Sequence, residues 1–381
     1  MGPSSSETSL ALGRGGPFLT LLRKTRVLRD DGHRVARPFL AAFALTWLPL
    51  VVLAPFSRGA ASLLTDLSVH ARLLLSIPLL LESDALLHEL IAVATMRFAE
   101  ARAVEGLEPS SIEDVQRQGE RLRSSRRGEL VCLLLALLAG QIGLWSKGAN
   151  PMSVQGISTA PLSPAMVWYG CVALPAFLFL LYRAFWRWLV WCWMLWRFSR
   201  MKLRLVPTHP DLSGGLSVLV IPTRGFAMVL LAIGVGVAGA WATQILFRGE
   251  RLRSFGGSLA FLVAIALLFG LGPLLAFSHK LLRAKVLGRV QYGSLARAYT
   301  TEFDERWIVR AERADLLGTP DLQSLADLAN SFALVRRMRA APFDRYDALL
   351  LVIAVLLPIC PLVLTEVPLS LLLQKLAQAV L

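Results

Sequence analysis

At 381 residues the chain is long enough for two or three soluble domains, yet 55% of it is apolar, 17% is charged, and its mean hydropathy is +0.57. A water-soluble domain carries about 25% charged residues, so a soluble fold is excluded as the first reading and a membrane protein is expected. The net charge of +14 comes without an aromatic-basic groove or a finger motif, which excludes nucleic acid as a partner and leaves the cytoplasmic basic excess of membrane proteins as its source.

In chain order, residues 1–37 read as a basic, largely disordered cytoplasmic tail. A spanning helix needs roughly 17–25 mainly apolar residues. Six blocks supply them: Phe39 to Phe56, Leu130 to Trp145, Met166 to Val190, Phe226 to Phe247, Ser258 to Phe277, and Ala348 to Thr365. A seventh, Leu67 to His88, is weaker because it contains His70, Arg72, Glu82 and Asp84. Counting it as a span places 33 Lys and Arg on one side and 7 on the other. The positive-inside rule therefore predicts an all-α transmembrane bundle of seven spans, N-terminus in and C-terminus out. The parts are then spans 1–2 (38–88), a cytoplasmic helical segment (89–127), spans 3–6 (128–278) with a cytoplasmic loop at 201–216, a second cytoplasmic segment (279–346), and span 7 with an outer interfacial helix (347–381). Arg outnumbers Lys 34 to 6, a skew of GC-rich genomes, so the expected location is a bacterial inner membrane. The four cysteines lack metal-finger spacing and read as small apolar residues.

Within the cytoplasmic segments, Ser110 and Glu113 read as a capping box. Tyr292, Leu295, Tyr299, Phe303 and Trp307 form one helical face, and Leu322, Leu325, Leu328 and Phe332 form another on a helix capped by Thr319. Two such helices want each other, another subunit, or the membrane surface, so the expected partners are the lipid bilayer and a second copy of the chain or a cytoplasmic protein. Pro78, Pro175, Pro273, Pro358 and Pro361 should kink their helices. Small-residue stripes (Ala232, Gly236 and Ala240; Ala266 and Gly270; Ala139 and Gly143) predict close helix packing.

Candidate chemistry is sparse. No nucleophile elbow, zinc-protease motif or phosphate loop is present, and Gly234-x-Gly236-x-x-Gly239 lies inside a span, where it reads as packing. The loop Arg204 to Leu216 carries Thr208 and His209 between two prolines, with Asp211 just after the second and ahead of Gly214-Gly215. The threading puts His88, His209 and His279 at one membrane face, with Asp84 one turn from His88. A divalent-metal or polar-ligand site of Asp84, His88, His209, Asp211 and His279 is the resulting expectation, with Glu82 and Thr208 as pathway or ligand residues. Arg183, Arg187, Trp186 and Trp193 read either as an interfacial belt or as a lipid-headgroup site.

Two stretches carry a resemblance. The loop of form RLVPTHPDxxGGL and the helix Gly318-Thr319-Pro320-Asp321-Leu322-Gln323-Ser324-Leu325-Ala326-Asp327-Leu328-Ala329-Asn330-Ser331-Phe332 resemble the motifs of a family of bacterial multi-pass inner-membrane proteins over Arg37 to Thr365. No activity is assigned to that family, so the resemblance implies a fold and a location and no catalytic residue. The functional alternatives are a sensing or scaffold protein, a transporter or channel using the acidic residues of span 2, and a membrane-embedded metal-dependent enzyme.

Overall fold

The structure, a computed structural model, describes residues 36–56, 64–100, 109–149, 163–310 and 320–366, and all regular elements among them are helical. Helix α1 is Ala36–Leu53, and α2 (67–100) runs through Leu67–His70, a π-helical segment Ala71–Ser76, and Ile77–Glu100. Then come α3 (Pro109–Arg123), α4 (Arg126–Ala149), and α5 (Pro164–Arg200), which contains a second π segment, Tyr169–Ala173. After the 201–216 loop follow α6 (Thr223–Arg248), α7 (Gly256–Leu271), α8 (Ser278–Asp304), α9 (Pro320–Arg337) and α10 (Arg345–Leu356). The tail before residue 36, the Thr319 cap and the C-terminal segment after 366 lie outside the described residues. Helix α3 begins at Pro109, so Ser110 sits in its first turn.

Among the described residues, four helices are long and apolar enough to cross a membrane: Pro38–Phe56, Pro164–Arg200, Ser217–Arg248 and Leu252–Val309. That is fewer than the seven expected, for local reasons. Residues 67–88 carry Arg72, Glu82 and Asp84. The apolar block from Leu130 is described with its side chains only to Ile142, and α10 has 12 residues before its turn at Pro358.

The small residues of α6 organise the core. A Cβ on Gly239 would fall 2.7 Å from Ala71 Cβ, and one on Gly225 would fall 2.9 Å from Leu87 Cα. Between them Ser76 Oγ donates to the Ala232 carbonyl at 2.7 Å. Thus α2 and α6 lie antiparallel in close contact, as small residues permit. On its other side α6 takes α10, where a Gly234 Cβ would meet the Val355 carbonyl at 3.0 Å. In α4 the close approach falls on Gly140, against the Gly170 carbonyl and Pro175.

The π segments of α2 and α5 have the same cause, which a third, Glu305–Val309 after α8, does not share. Pro78 and Pro175 lack an N–H and crowd the carbonyl four residues back. The chain absorbs this with one wider turn just before each proline: Ile77 N–H bonds to Arg72 O, and Leu174 N–H to Tyr169 O.

Beyond the apolar part of the α7–α8 rod, α8 pairs with α9. Tyr299 Oη donates to the Asp321 carbonyl at 3.0 Å, and Trp307 Nε1 donates to Asp321 Oδ2 at 3.2 Å. Phe332 faces Gly293 and Val335 is buried, but Leu322 is 46% exposed and Leu295 54%, so neither belongs to the packed face.

Candidate functional site

The densest chemistry lies where α2, α4 and α5 meet. Arg183 and Arg187 stand one turn apart on α5, and both reach Asp84 of α2. Arg183 Nη1 donates to Asp84 Oδ2 at 2.5 Å, and its Nε donates to Glu129 Oε1 of α4 at 3.2 Å. Arg187 Nη1 lies 2.5 Å from Asp84 Oδ1, an ion contact without good hydrogen-bond alignment, and donates to the Asp84 backbone carbonyl at 2.9 Å. All four side chains are buried. Two cations thus meet two anions, which meets the requirement that a desolvated charge be paired. One helix further out, Arg123 of α3 contacts His88 Nδ1, and burial lowers the Arg123 guanidinium against the opposing pull of Glu120 and Asp84. The arrangement is a charge-balanced staple across three helices. Trp188 seals it by stacking on Phe226 (4.3 Å between centroids) and donating Nε1 to the Phe269 carbonyl at 2.9 Å.

The 201–216 loop closes on itself. Asp211 accepts from the backbone N–H groups of Ser213 (2.8 Å), Gly215 (3.0 Å) and Ser217 (3.1 Å), while His209 Nδ1 lies 2.7 Å from Asp211 Oδ1. Burial would raise the Asp211 carboxyl, but these three N–H donors and His209 together hold it below its ordinary value. Gly214 and Gly215 have φ of +63° and +93°, which glycine adopts without a Cβ penalty. The loop is also bolted to the connector between α9 and α10. Arg339 N–H donates to the Leu212 carbonyl at 2.7 Å, Arg339 Nη2 to the Asp211 carbonyl at 3.3 Å, and Ser213 Oγ to the Pro342 carbonyl at 3.4 Å. Lys280 Nζ donates to the Met201 carbonyl, and Pro207 presses on Gly288, so α8 is held at its base by the same loop.

The five residues expected to share a metal are therefore divided. Asp84 is taken by two arginines, His88 faces Arg123, His209 and Asp211 serve their own loop, and His279 is exposed near the start of α8. Among the described residues no three His, Cys, Asp or Glu side chains gather as a metal-ligand set. Thr208 is half-buried in the loop, and Glu82 is half-buried on α2 with no ion-pair partner among the described residues. The headgroup reading of Arg183 and Arg187 is corrected: both are interior counter-ions of Asp84. Trp186 donates to the Leu122 carbonyl at 3.2 Å, and Trp193 lies under Arg197, 5.8 Å from centroid to guanidinium. Glu129 and Arg123 escaped the sequence reading. The available signal was that a carboxylate inside a span requires a cation on a neighbouring span, and Arg183 and Arg187 share a helix face.

No family model matches the chain, and no curated protein or solved structure matches it either. The family resemblance therefore rests on the two motifs alone.

Proposed function

We propose that the chain is a sensing or scaffold protein of the bacterial inner membrane, crossing it seven times with the N-terminus in and the C-terminus out, and presenting the α8–α9 hairpin to a partner in the cytoplasm. The extra crossings are supported by packing. From Ala71 against Gly239 to Leu87 against Gly225, α2 follows α6 for 16 residues, about 24 Å at 1.5 Å per residue. A helix that accompanies a membrane-crossing neighbour for that distance traverses most of a hydrocarbon core about 30 Å thick. It can carry Asp84 there because Arg183 and Arg187 meet it inside the bundle. Helix α4 likewise follows α5, from Glu129 at Arg183 to Gly140 at Gly170, and α10 lies between α6 and α7, with Leu351 against Gly270.

The observation that carries the scaffold reading is the α7–α8 rod. Helical structure continues from Leu252 to Val309, 58 residues, and α8 alone contributes 27 of them past the apolar stretch. Twenty-seven helical residues extend about 40 Å. The rod's base is clamped by Pro207 and Lys280, while Leu295 and Leu322 remain exposed on the hairpin. The motif resemblance accords with the location and adds no activity.

A second reading, a transporter, is favoured by Glu82, half-buried on α2 without a described ion partner. One pair of experiments separates the two. Photo-crosslinkers at positions 295 and 322 should give discrete higher-mass adducts in native membranes, and proteoliposomes should leak ions and small solutes no faster than empty vesicles. Absent adducts, with flux that Glu82→Gln abolishes, would replace the scaffold reading with the transporter.

A further inference from the structure

Helix α5 turns two faces to different surroundings. Arg187, Trp188, Trp191 and Phe198 point into the bundle and are buried. At about 100° per residue, Leu189, Trp193, Trp196 and Arg200 fall on the opposite face. Leu189 is 50% exposed and Trp196 48%, Trp193 is half-buried, and Arg197 and Arg200 are exposed. The contacts of Trp188 set the depth of this face. Trp188 stacks on Phe226, which opens the apolar part of α6 two residues after Arg224, so Trp188 stands at the inner edge of the apolar layer. Trp193 is five residues further along α5, about 7 Å at 1.5 Å per residue. That distance passes from the hydrocarbon core into the headgroup layer.

Two arginines lie on two indoles there. Arg197 stands over Trp193, 5.8 Å from guanidinium carbon to ring centroid, and Arg200 over Trp196 at 5.0 Å. Each arginine is four residues beyond its tryptophan, and helical side chains lean toward the N-terminus. Both guanidiniums are therefore drawn back toward the lipid. Arg183 and Arg187 pair with carboxylates in the bundle, whereas among the described residues no carboxylate pairs with Arg197 or Arg200. Stacking occupies the flat side of a guanidinium and leaves its N–H edge open. That edge matches two oxygens of a phosphate. A second copy of the chain on this face would bring four arginines together, which charge repulsion opposes. Phospholipids are the neighbours that the depth supplies, and the charge selects the anionic ones.

We propose that Trp193, Trp196, Arg197 and Arg200 form a docking surface for an anionic phospholipid, whose phosphodiester lies against the two guanidinium edges while an acyl chain runs along Leu189. A zwitterionic lipid carries the same phosphate with a cation beside it, which the arginines repel, so the surface prefers a headgroup of net negative charge. This surface goes beyond the scaffold reading and requires neither the hairpin nor a protein partner. The N-in orientation decides only that the lipid belongs to the inner leaflet, so a test in detergent can fail without touching that reading.

The test uses the full-length protein in mild detergent, equilibrated with equimolar phosphatidylglycerol and phosphatidylcholine and washed free of loosely held lipid. Native mass spectrometry then counts the lipid retained. Wild type should retain phosphatidylglycerol over phosphatidylcholine about fivefold or more, the effect of about one arginine at an anionic surface. Arg197→Gln combined with Arg200→Gln should cut that ratio at least about threefold. Trp193→Leu combined with Trp196→Leu keeps both charges and should also lower the ratio, because the forks lose their platforms. Arg251→Gln combined with Arg253→Gln removes as much charge from exposed residues at the other end of the bundle and should leave the ratio unchanged. If the glutamine pair does not fold, Arg197→Lys with Arg200→Lys, which keeps the charge without the fork, decides by falling below wild type. A wild-type ratio of about one would leave the face to a protein partner and overturn the proposal. So would a wild-type ratio in the leucine pair, or an equal loss in the pair at 251 and 253.

Discussion

Replacing Asp84 with alanine removes the anion that Arg183 and Arg187 share, and leaves two guanidiniums facing Glu129 where Arg183 is 2% and Arg187 3% exposed. Truncating one member of a buried ion pair costs about 3–5 kcal/mol, because the remaining charge has no water to return to. Two unit charges about 4 Å apart interact by about 4 kcal/mol at an effective dielectric constant of 20, which is the same size. A loss of about 3–5 kcal/mol is therefore expected. Combining Asp84→Ala with Arg187→Met restores the balance, since Arg183 keeps Glu129 at 3.2 Å, and should recover most of that loss. The assay is unfolding of the purified protein by SDS in mixed micelles, followed by circular dichroism and compared at equal SDS mole fraction. A loss below about 1 kcal/mol, the value of a solvent-exposed pair, would refute a desolvated staple. So would a double variant no more stable than Asp84→Ala.

Acid should release the 201–216 loop. A carboxyl whose folded pKa is depressed, as that of Asp211 is, contributes stability that is present above its unfolded value of about 3.9 and is lost as pH falls through the folded value. Hydrogen exchange at 209–217 should accordingly rise below about pH 4, and Asp211→Asn should already show raised exchange at neutral pH; identical exchange in variant and wild type would contradict the loop's dependence on that carboxylate. On a background with the four cysteines replaced, Gln118→Cys should react with an impermeant maleimide only from the cytoplasmic side and Gly249→Cys only from the opposite side. Labelling of position 118 from the outside would reverse the orientation.

What could be read along the chain was what neighbouring residues decide among themselves. Pro78 and Pro175 marked the places where α2 and α5 depart from regular α geometry, because a missing N–H acts within one turn. Gly214-Gly215 and Asp211 announced a tight loop, and the loop is tight for that reason, although its His and Asp cap backbone groups and do not join a distant histidine. Asp84 and His88 share a helix face as their spacing requires, but nothing in the spacing says that the face meets arginines. Arg183 and Arg187 carried the opposite error. Amid five tryptophans they look like an interfacial belt, and only the rotation of α5 about its axis turns them inward.

Composition and the order of apolar blocks were enough to establish a helical chain suited to a membrane, because backbone groups in lipid must bond within their own segment and a helix does this with local residues alone. Which charges meet was settled by packing. Asp84 lies 99 residues from Arg183, and Arg72 lies 97 from Tyr169. Contacts across such separations depend on helix rotation and register, and those follow from where the glycines of α6 and α4 let neighbouring backbones approach.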